Sequence, residues 1–541
     1  MTVHDIERFR AGGNHLHGPD HPDGPDRAPR FLSVLHPCRA DAATPLLPRP
    51  EPPACVTDLN LDRLIGAAVE GRDETHLRPI FYTTTRNEDV IRYRQAVFAD
   101  LERAEVRGVF PPFSEAMRQV RANLAYAGKI DSAAHRNLVL LRSADLYCAA
   151  VDTLTTRLNA ADLHADALCA LRTYLNDYVH AGEFPTLVGQ TRALRDELSG
   201  IVYGTMFRGD RVTVRKYASE PDYAVTILER FARFRQSEHT TPPPPRSPTE
   251  DFALNHIEER ILDLVARLFP DSFARAVAFV ARWPDFVAPV IAALDRDIAF
   301  FLAYLDVIAP LKAAGLPFCL PSVSTSDKDE SVSSGFDLAL AAKLVREGIP
   351  VICNDFHLSG AERIIVVSGP NQGGKTTFAR MFGQMHFLAG LGCPVPGRSA
   401  RLFLPDRIFT HFEREESIAN LRGKLEEELV QLHATCASLT PDDVVILNEI
   451  FNSTGMDDQV LLSTRVLDTI LARDAIGVCV TFIDALSRLD KTVSMVSTVV
   501  PDDPASRTFR VERRPADGLA YALSLAEKHG VTYARLRARL R

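Results

Sequence analysis

The chain has 541 residues, 62 Lys and Arg against 70 Asp and Glu, and 46% hydrophobic residues. That much apolar material fills packed cores and excludes a disordered polyelectrolyte, and at roughly 100 to 200 residues per domain it points to three or four domains. A formal net charge of -8 excludes a surface given over wholly to nucleic acid, so any such contact is local. The nine cysteines are scattered, with no CxxC pair and no zinc-type Cys/His spacing, and no secretory segment opens the chain, so a reducing cytoplasm is expected. No apolar run reaches the about 18 residues of a membrane helix; the window from Ile298 to Leu311 is broken by Asp306 and Pro310.

Residues 1–30 are rich in Gly, Pro, Asp and His and lack an apolar period, and a second Pro-rich stretch covers 45–53. Such a composition does not repay the entropy of ordering, so 1–56 reads as a disordered or poorly ordered arm. His15, His17 and His21 there have no scaffold to fix a metal geometry. From 57 to 200 the pattern is almost continuously helical, with Val90, Ile91, Val97 and Leu101 on one stripe. Residues 208–217 alternate β-branched and basic residues, which reads as extended chain, and 240–248 (TTPPPPRSP) is a Pro-rich linker. Helix resumes at Asn255, with Ile257, Ile261, Leu264, Val265 and Leu268 on one face, and again at Asp297.

The Ser-rich stretch 322–334 breaks the composition, and beyond it short β runs alternate with helices. Those runs are 364–368, 407–412, 444–447, 477–482, 493–500 and 508–513. The fold class that follows is α plus α/β: a mostly helical region over 57–321, then over 335–541 an α/β domain with a largely parallel sheet. Ligands of such sheets bind at the carboxyl ends of the strands.

Directly after the first β run comes Gly369-Pro-Asn-Gln-Gly-Gly374-Lys375-Thr376, then a helical pattern through Phe378, Met381 and Phe382. This is GxxxxGK[ST] in the strand-loop-helix setting it requires. Glycines let backbone N–H groups close round a phosphate, Lys375 reaches the β and γ phosphates, and Thr376 offers a hydroxyl to Mg²⁺. The apolar run 444–447 ends in Asn448-Glu449, where Glu449 is the candidate catalytic carboxylate that polarises the attacking water. Asn448, the preceding position, is a candidate metal-side residue, with an uncharged amide oxygen where a carboxylate would bind Mg²⁺ more firmly.

Together these features resemble the MutS family of DNA mismatch-repair ATPases: Asn354-Asp355, the Pro-Asn inside the phosphate loop, a Glu-rich helix at 426–428, Asn448-Glu449-Ile450, Thr454, Asp458, and Asp517-Gly-Leu-Ala-Tyr521. The resemblance is specific over about 345–541 and one of layout upstream, where the helical blocks are similar to the family's core, lever and clamp. It implies Gly369, Asn371, Gly373, Gly374, Lys375, Thr376 and Thr377 around the triphosphate of ATP, and Val351 and Ile352 near the adenine. It also implies Asp458 in a loop crossing to a partner subunit, and therefore a homodimer.

The chain departs from the family pattern at Asn448, at Phe451-Asn-Ser-Thr454-Gly, at Leu421-Arg-Gly-Lys-Leu, and at Thr481-Phe482 where a Thr-His pair is usual. Loss of the His and of the Asp each removes a charge-assisted contact of about 1.5 to 3 kcal/mol, which implies slow turnover. The one Phe-x-Glu triplet within residues 1–120, Phe113-Ser-Glu115, sits in a helical pattern rather than in a mismatch-reading domain, and the region ahead of the helical core is too short and too polar for such a domain. The expectation is a short MutS-like protein with neither mismatch reader nor nuclease tail. Arg208, Arg211, Arg215 and Lys216 are the candidate DNA-backbone contacts; the run Arg535, Arg537, Arg539 and Arg541 reads as solvated charge. The leading expectation is an ATPase whose nucleotide state drives a dimeric clamp on DNA in repair or recombination. The alternative is a weakly hydrolysing scaffold for a protein or ribosomal partner.

Overall fold

The computed structural model describes residues 31, 33–37, 51–209, 211–218, 254–412, 423–500, 503–516, 532 and 537. The Pro-rich linker, residues 1–30, Leu421-Arg422, residues 517–521 and, Arg537 apart, the terminal arginine run lie outside them.

The helical region runs through α1 (Ala54–Asp58), α2 (Leu61–Val69), α3 (Glu74–Tyr82), α4 (Glu88–Glu102), α5 (Ala104–Arg107), α6 (Phe110–Ala127), α7 (Ala133–Ala160), α8 (Asp166–His180) and α9 (Phe184–Ser199). Residues with side-chain oxygens start several of these: Asn87 accepts from the amides of Asp89 and Val90, and Ser132 from His135. A hairpin follows, β1 (Tyr203–Arg208) and β2 (Arg211–Lys216), and then α10 (His256–Leu268), α11 (Pro270–Arg282) and α12 (Pro289–Ala313). In α10 only Val265 of the expected stripe is fully buried, and Ile257 is exposed. The stripe of α4 is buried as expected. Helix α12 is apolar on nearly every side, with all of Phe300 to Leu305 buried, so it runs through the middle of the region. There Phe98 meets Phe300, Phe301 and Tyr304 at ring-centroid distances of 4.8 to 6.0 Å.

The α/β part contains β3 (Phe318–Cys319), β4 (Ser322–Ser324), β5 (Glu330–Gly335), α13 (Leu338–Arg346), β6 (Asn354–Leu358), β7 (Ile364–Ser368), α14 (Lys375–Leu391), β8 (Val395–Pro396), β9 (Ser399–Phe403) and β10 (Ile408–His411). It continues with α15 (Lys424–Ser438), β11 (Val444–Asn448), α16 (Met456–Ala472), β12 (Ile476–Val480), β13 (Thr492–Val500) and β14 (Asp503–Arg513). A six-stranded sheet in the order β10-β11-β12-β7-β13-β14 is parallel except for its last pair. Strands β7, β11 and β12 are buried at every position, as parallel strands covered on both faces must be. A smaller sheet, β4-β9-β5-β6, lies beside it.

Two sequence expectations are corrected. The arm is not disordered throughout: Phe31, Val34 and Leu35 are buried, the buried Arg94 guanidinium donates to the Leu35 carbonyl at 3.1 Å, and the Tyr93 hydroxyl donates to the Ser33 carbonyl at 2.9 Å. Three apolar side chains and borrowed donors hold a segment whose own composition does not. The Ser-rich stretch 322–334 is not a break between domains: it supplies β4 and β5, with Val332 buried and both strands paired to β9. The helical and α/β parts also share one hydrophobic core, which joins Leu59 and Phe301 to Phe378 and Phe382 of α14.

Candidate nucleotide site

Strand β7 ends in the sheet interior and its last residue, Ser368, is buried, so the chain must turn abruptly into α14. Gly369 (φ 113°), Gln372 (φ 59°) and Gly374 (φ 94°) make that turn through the left-handed region. Ser497 of the neighbouring β13 fixes the loop: its buried hydroxyl donates to the Gly373 carbonyl at 2.6 Å, and a Cβ on Gly373 would overlap that hydroxyl. Arg507 of β14 donates to the Asn371 carbonyl at 3.1 Å. Neither Ser497 nor Arg507 carries a signal in the sequence, because both reach the loop through strand order.

Lys375 opens α14 with only 4% of its side chain exposed. Its ammonium donates to the carbonyls of Gly369 at 3.0 Å and Pro370 at 3.2 Å, lies 3.9 Å from the Glu449 carboxylate, and sits 4.0 Å from the ring centre of Phe482. Burial brings its pKa down to about 8, with the Glu449 charge opposing the fall and Arg507 adding to it.

β11 delivers Asn448 and Glu449 to the same place. The Thr376 hydroxyl donates to the Asn448 amide oxygen at 2.9 Å, so the two candidate metal-side residues do meet. Glu449 has φ 55°, a backbone state unfavourable for a residue with a side chain, and its N–H donates to the Val480 carbonyl at 2.9 Å. The turn beyond it is held by Glu428 of the Glu-rich helix α15, which accepts from the Phe451 amide at 2.8 Å and contacts His411 at 3.1 Å. Asn452 donates to the Glu449 carboxylate at 3.4 Å. Glu428 therefore holds the turn that follows Glu449.

The oxygen donors on hand for a divalent cation are the Thr376 hydroxyl and the Asn448 amide oxygen, both neutral, with Glu449 next in sequence. Among the described residues there is no group of three His, Cys, Asp or Glu side chains placed to hold a metal by themselves. This set fits Mg²⁺ that keeps most of its waters and takes further oxygens from a bound phosphate, and it does not fit a dedicated protein cage.

The remaining sequence candidates are dispersed. Thr377 is half-buried in the first turn of α14. Val351 packs half-buried against the core and Ile352 is 36% exposed, both just ahead of β6. Asp458 is exposed in the first turn of α16 and has no hydrogen bond or ion pair to the described residues. Arg208, Arg211, Arg215 and Lys216 are exposed on the hairpin, far along the chain from the loop, with Arg208 and Arg211 directly opposite one another across the turn. Lys216 lies 5.4 Å from the Phe269 ring centre. Phe113 is buried in α6 and Glu115 pairs with Arg118, so that triplet presents no wedge.

No helix of the described residues is long and apolar enough to cross a membrane. Residues 365–524 match MutS domain V. The DNA mismatch repair protein MutS of Erythrobacter litoralis is 32% identical over 171 residues, 31% of this chain and 19% of that protein. The MutS of Azorhizobium caulinodans is 33% identical over 207 residues, 37% of this chain and 21% of that protein. That of Granulibacter bethesdensis is 29% identical over 199 residues, 36% and 21% respectively. The matched part thus spans about one fifth of the length of these relatives. Residues 365–524 are therefore similar to MutS domain V, and the phosphate loop and the strand end at Asn448-Glu449 both lie within that matched span.

Proposed function

We propose that the protein binds Mg²⁺-ATP in the loop at 369–376 and hydrolyses it slowly, and that the nucleotide state drives a homodimeric clamp on DNA. The observation that carries this reading is the meeting of the first turn of α14 with the end of β11, where Thr376 lies 2.9 Å from Asn448 and Lys375 lies 3.9 Å from Glu449. Glycine amides and the start of α14 offer donors to phosphate oxygens, Gly369, Asn371, Gly373, Gly374 and Thr377 line the triphosphate, and Val351 and Ile352 approach the base. Glu449 is the group that accepts a proton from the attacking water.

Dimer formation is supported by apolar side chains left exposed on α15, on α16 and after β12: Leu429, Val430, Met456, Leu461 and Phe482. In that arrangement Asp458 addresses the partner. DNA is supported by the relatives' name and by the hairpin, where Arg208 and Arg211 face each other in register. Like charges so placed are destabilising until an anion sits between them. Contact through four cations predicts a log-log salt slope no steeper than about -4.

The test is ATP binding and turnover, with and without matched, mismatched and branched DNA. Lys375→Ala should abolish ATP binding, and Glu449→Gln should keep binding while turnover falls. Equal turnover in the Gln variant removes Glu449 as the base. No DNA binding at low salt by the wild type removes the clamp. The second reading, a weakly hydrolysing scaffold for a protein or ribosomal partner, is favoured by Phe482 against Lys375 and by the neutral Asn448; it predicts no turnover above that of Glu449→Gln.

A further inference from the structure

A cavity of about 910 Å³ opens in the helical region, walled by the turn between α2 and α3, by α5, by α6 and by α12. None of these elements carries a residue of the candidate nucleotide site. Its long axis follows α6 and α12, which run antiparallel: Arg121 of α6 pairs with Asp295 near the start of α12, and Arg107, just ahead of α6, pairs with Asp306 near its end. Between those ends the lining is apolar, with Met117 and Leu124 from α6 and Ala299 and Leu302 from α12.

Charge gathers at the two ends. At one, the Asp306 carboxylate takes both Arg72 and Arg107, so two guanidinium groups stand against one carboxylate. Arg72 also donates to the Ala68 carbonyl at 3.1 Å, which fixes its side chain. At the other end Asp295 takes Arg121, while the neighbouring Arg296 is exposed and has no hydrogen bond or ion pair to the described residues. Burial raises the Asp295 pKa, and Arg121 opposes the rise. Of the other charged groups around the opening, Glu115 pairs with Arg118 at 2.5 Å, Asp73 pairs with His76 at 2.8 Å, and Glu70 lies at the close of α2. Each guanidinium has five N–H donors, more than one shared carboxylate can engage. Both ends therefore keep a positive charge and donors to spare.

Eleven positions of α12 separate Asp295 from Asp306, about 16 Å at the helical rise. A cavity of this volume drawn out over that length is roughly 8 Å across, narrower than the about 10 to 12 Å of a helix with its side chains. An extended chain fits such a trough and covers that length in about five residues.

We propose that this cavity docks an extended, acidic segment of a partner protein, whose two carboxylate side chains, four to six residues apart, reach the arginine pairs at its ends. Apolar side chains of the segment lie on the floor between them. A guanidinium fork matches a carboxylate with two parallel hydrogen bonds, so the ends select acidic over amide side chains. A nucleic-acid duplex is too wide to enter.

The experiment measures, by fluorescence anisotropy at low salt, binding to the full chain of labelled ten-residue peptides in which two Glu lie two to eight positions apart among Leu, Ala and Ser. Affinity should peak at a separation of four to six, fall with added salt, and vanish when both Glu are replaced by Gln. Arg296→Glu alters an exposed side chain, and Arg107→Gln leaves Asp306 its pairing with Arg72, so neither breaks a buried pair. Each should weaken binding at least about tenfold, as the loss of one charge-assisted contact does. Arg296→Glu should regain affinity for a peptide with Lys in place of the Glu at one end. No binding of any of these peptides, equal binding of the Glu and Gln peptides, or wild-type affinity in both variants overturns the proposal. If ATP or short single-stranded DNA displaces the peptide and itself binds Arg296→Glu more weakly, the cavity is a phosphate site and the proposal also falls.

Discussion

Glu330→Ala probes how α14, and with it the phosphate loop, is seated. Glu330 on β5 and His386 in α14 are both fully enclosed, with the imidazole Nε2 2.7 Å from the carboxylate. The other ring nitrogen is 2.8 Å from the Phe382 carbonyl, which can only accept, so a ring that also donates to Glu330 carries a positive charge. Glu330 accepts from the Phe403 amide at 3.0 Å as well, and its second oxygen has no hydrogen-bond partner. Removing the carboxylate leaves the buried imidazole Nε2 and the buried Phe403 amide without their partner, a loss of about 3 to 5 kcal/mol. The double variant Glu330→Leu/His386→Phe removes both charges and leaves only the Phe403 amide unpaired, so its loss should be nearer 1 to 3 kcal/mol, roughly what one unsatisfied group costs. Burial alone would lower the His386 pKa, but the charge of Glu330 and the hydrogen bonds from Glu330 and Phe382 outweigh it and raise the value above 6.5. A raised histidine pKa contributes stability that is fully present below the unfolded value and is lost as pH rises through the folded value. Urea unfolding across that interval should therefore show the wild type losing stability with rising pH, and His386→Phe lacking that component. A Glu330→Ala cost below about 1 kcal/mol, or superimposable pH profiles for wild type and His386→Phe, would refute the ion-pair argument.

Three further outcomes are expected. Because burial brings Lys375 down to about 8 and phosphate binding needs the ammonium form, ATP affinity should be level below that pH and fall above it by up to about tenfold per unit; a level calorimetric profile through that range would show that Lys375 stays charged. Asn448→Asp should tighten Mg²⁺-ATP by adding a formal charge beside the Thr376 hydroxyl, and superimposed Mg²⁺ titrations of the two proteins would separate position 448 from the metal. Gly373→Ala should cost about 1 to 3 kcal/mol and weaken ATP binding because its Cβ overlaps the Ser497 hydroxyl, with partial recovery in Gly373→Ala/Ser497→Ala; equal unfolding midpoints for Gly373→Ala and wild type would discount that contact.

The strand-loop-helix unit at 364–391 was legible in the sequence because its parts are covalent neighbours: a short apolar run, glycines that permit positive φ, and a lysine at the first helical turn. The same locality made Asn448 and Glu449 readable as a strand end, and the runs near 408, 476, 492 and 508 readable as strands. The alternating run 208–217 was readable as extended chain and contains β2, whereas its pairing with β1 in a hairpin was not. What the tertiary structure alone decided is which distant residues meet. Phe31, Val34 and Leu35 have no periodicity of their own, and their order comes from the hollow they fill and from Arg94, which also donates to the Leu391 carbonyl at 3.1 Å. The Ser-rich stretch reads as a break because its strands are stabilised by pairing with β9, some 70 residues on, rather than by apolar content. Ser497 and Arg507 reach the loop only because β13 and β14 lie beside β7, and Phe482 meets Lys375 only because β12 lies on its other side. Hydrophobic period fixes which face of an element is buried, whereas strand order is set by the packing of the whole core, so these contacts cannot be read from local spacing.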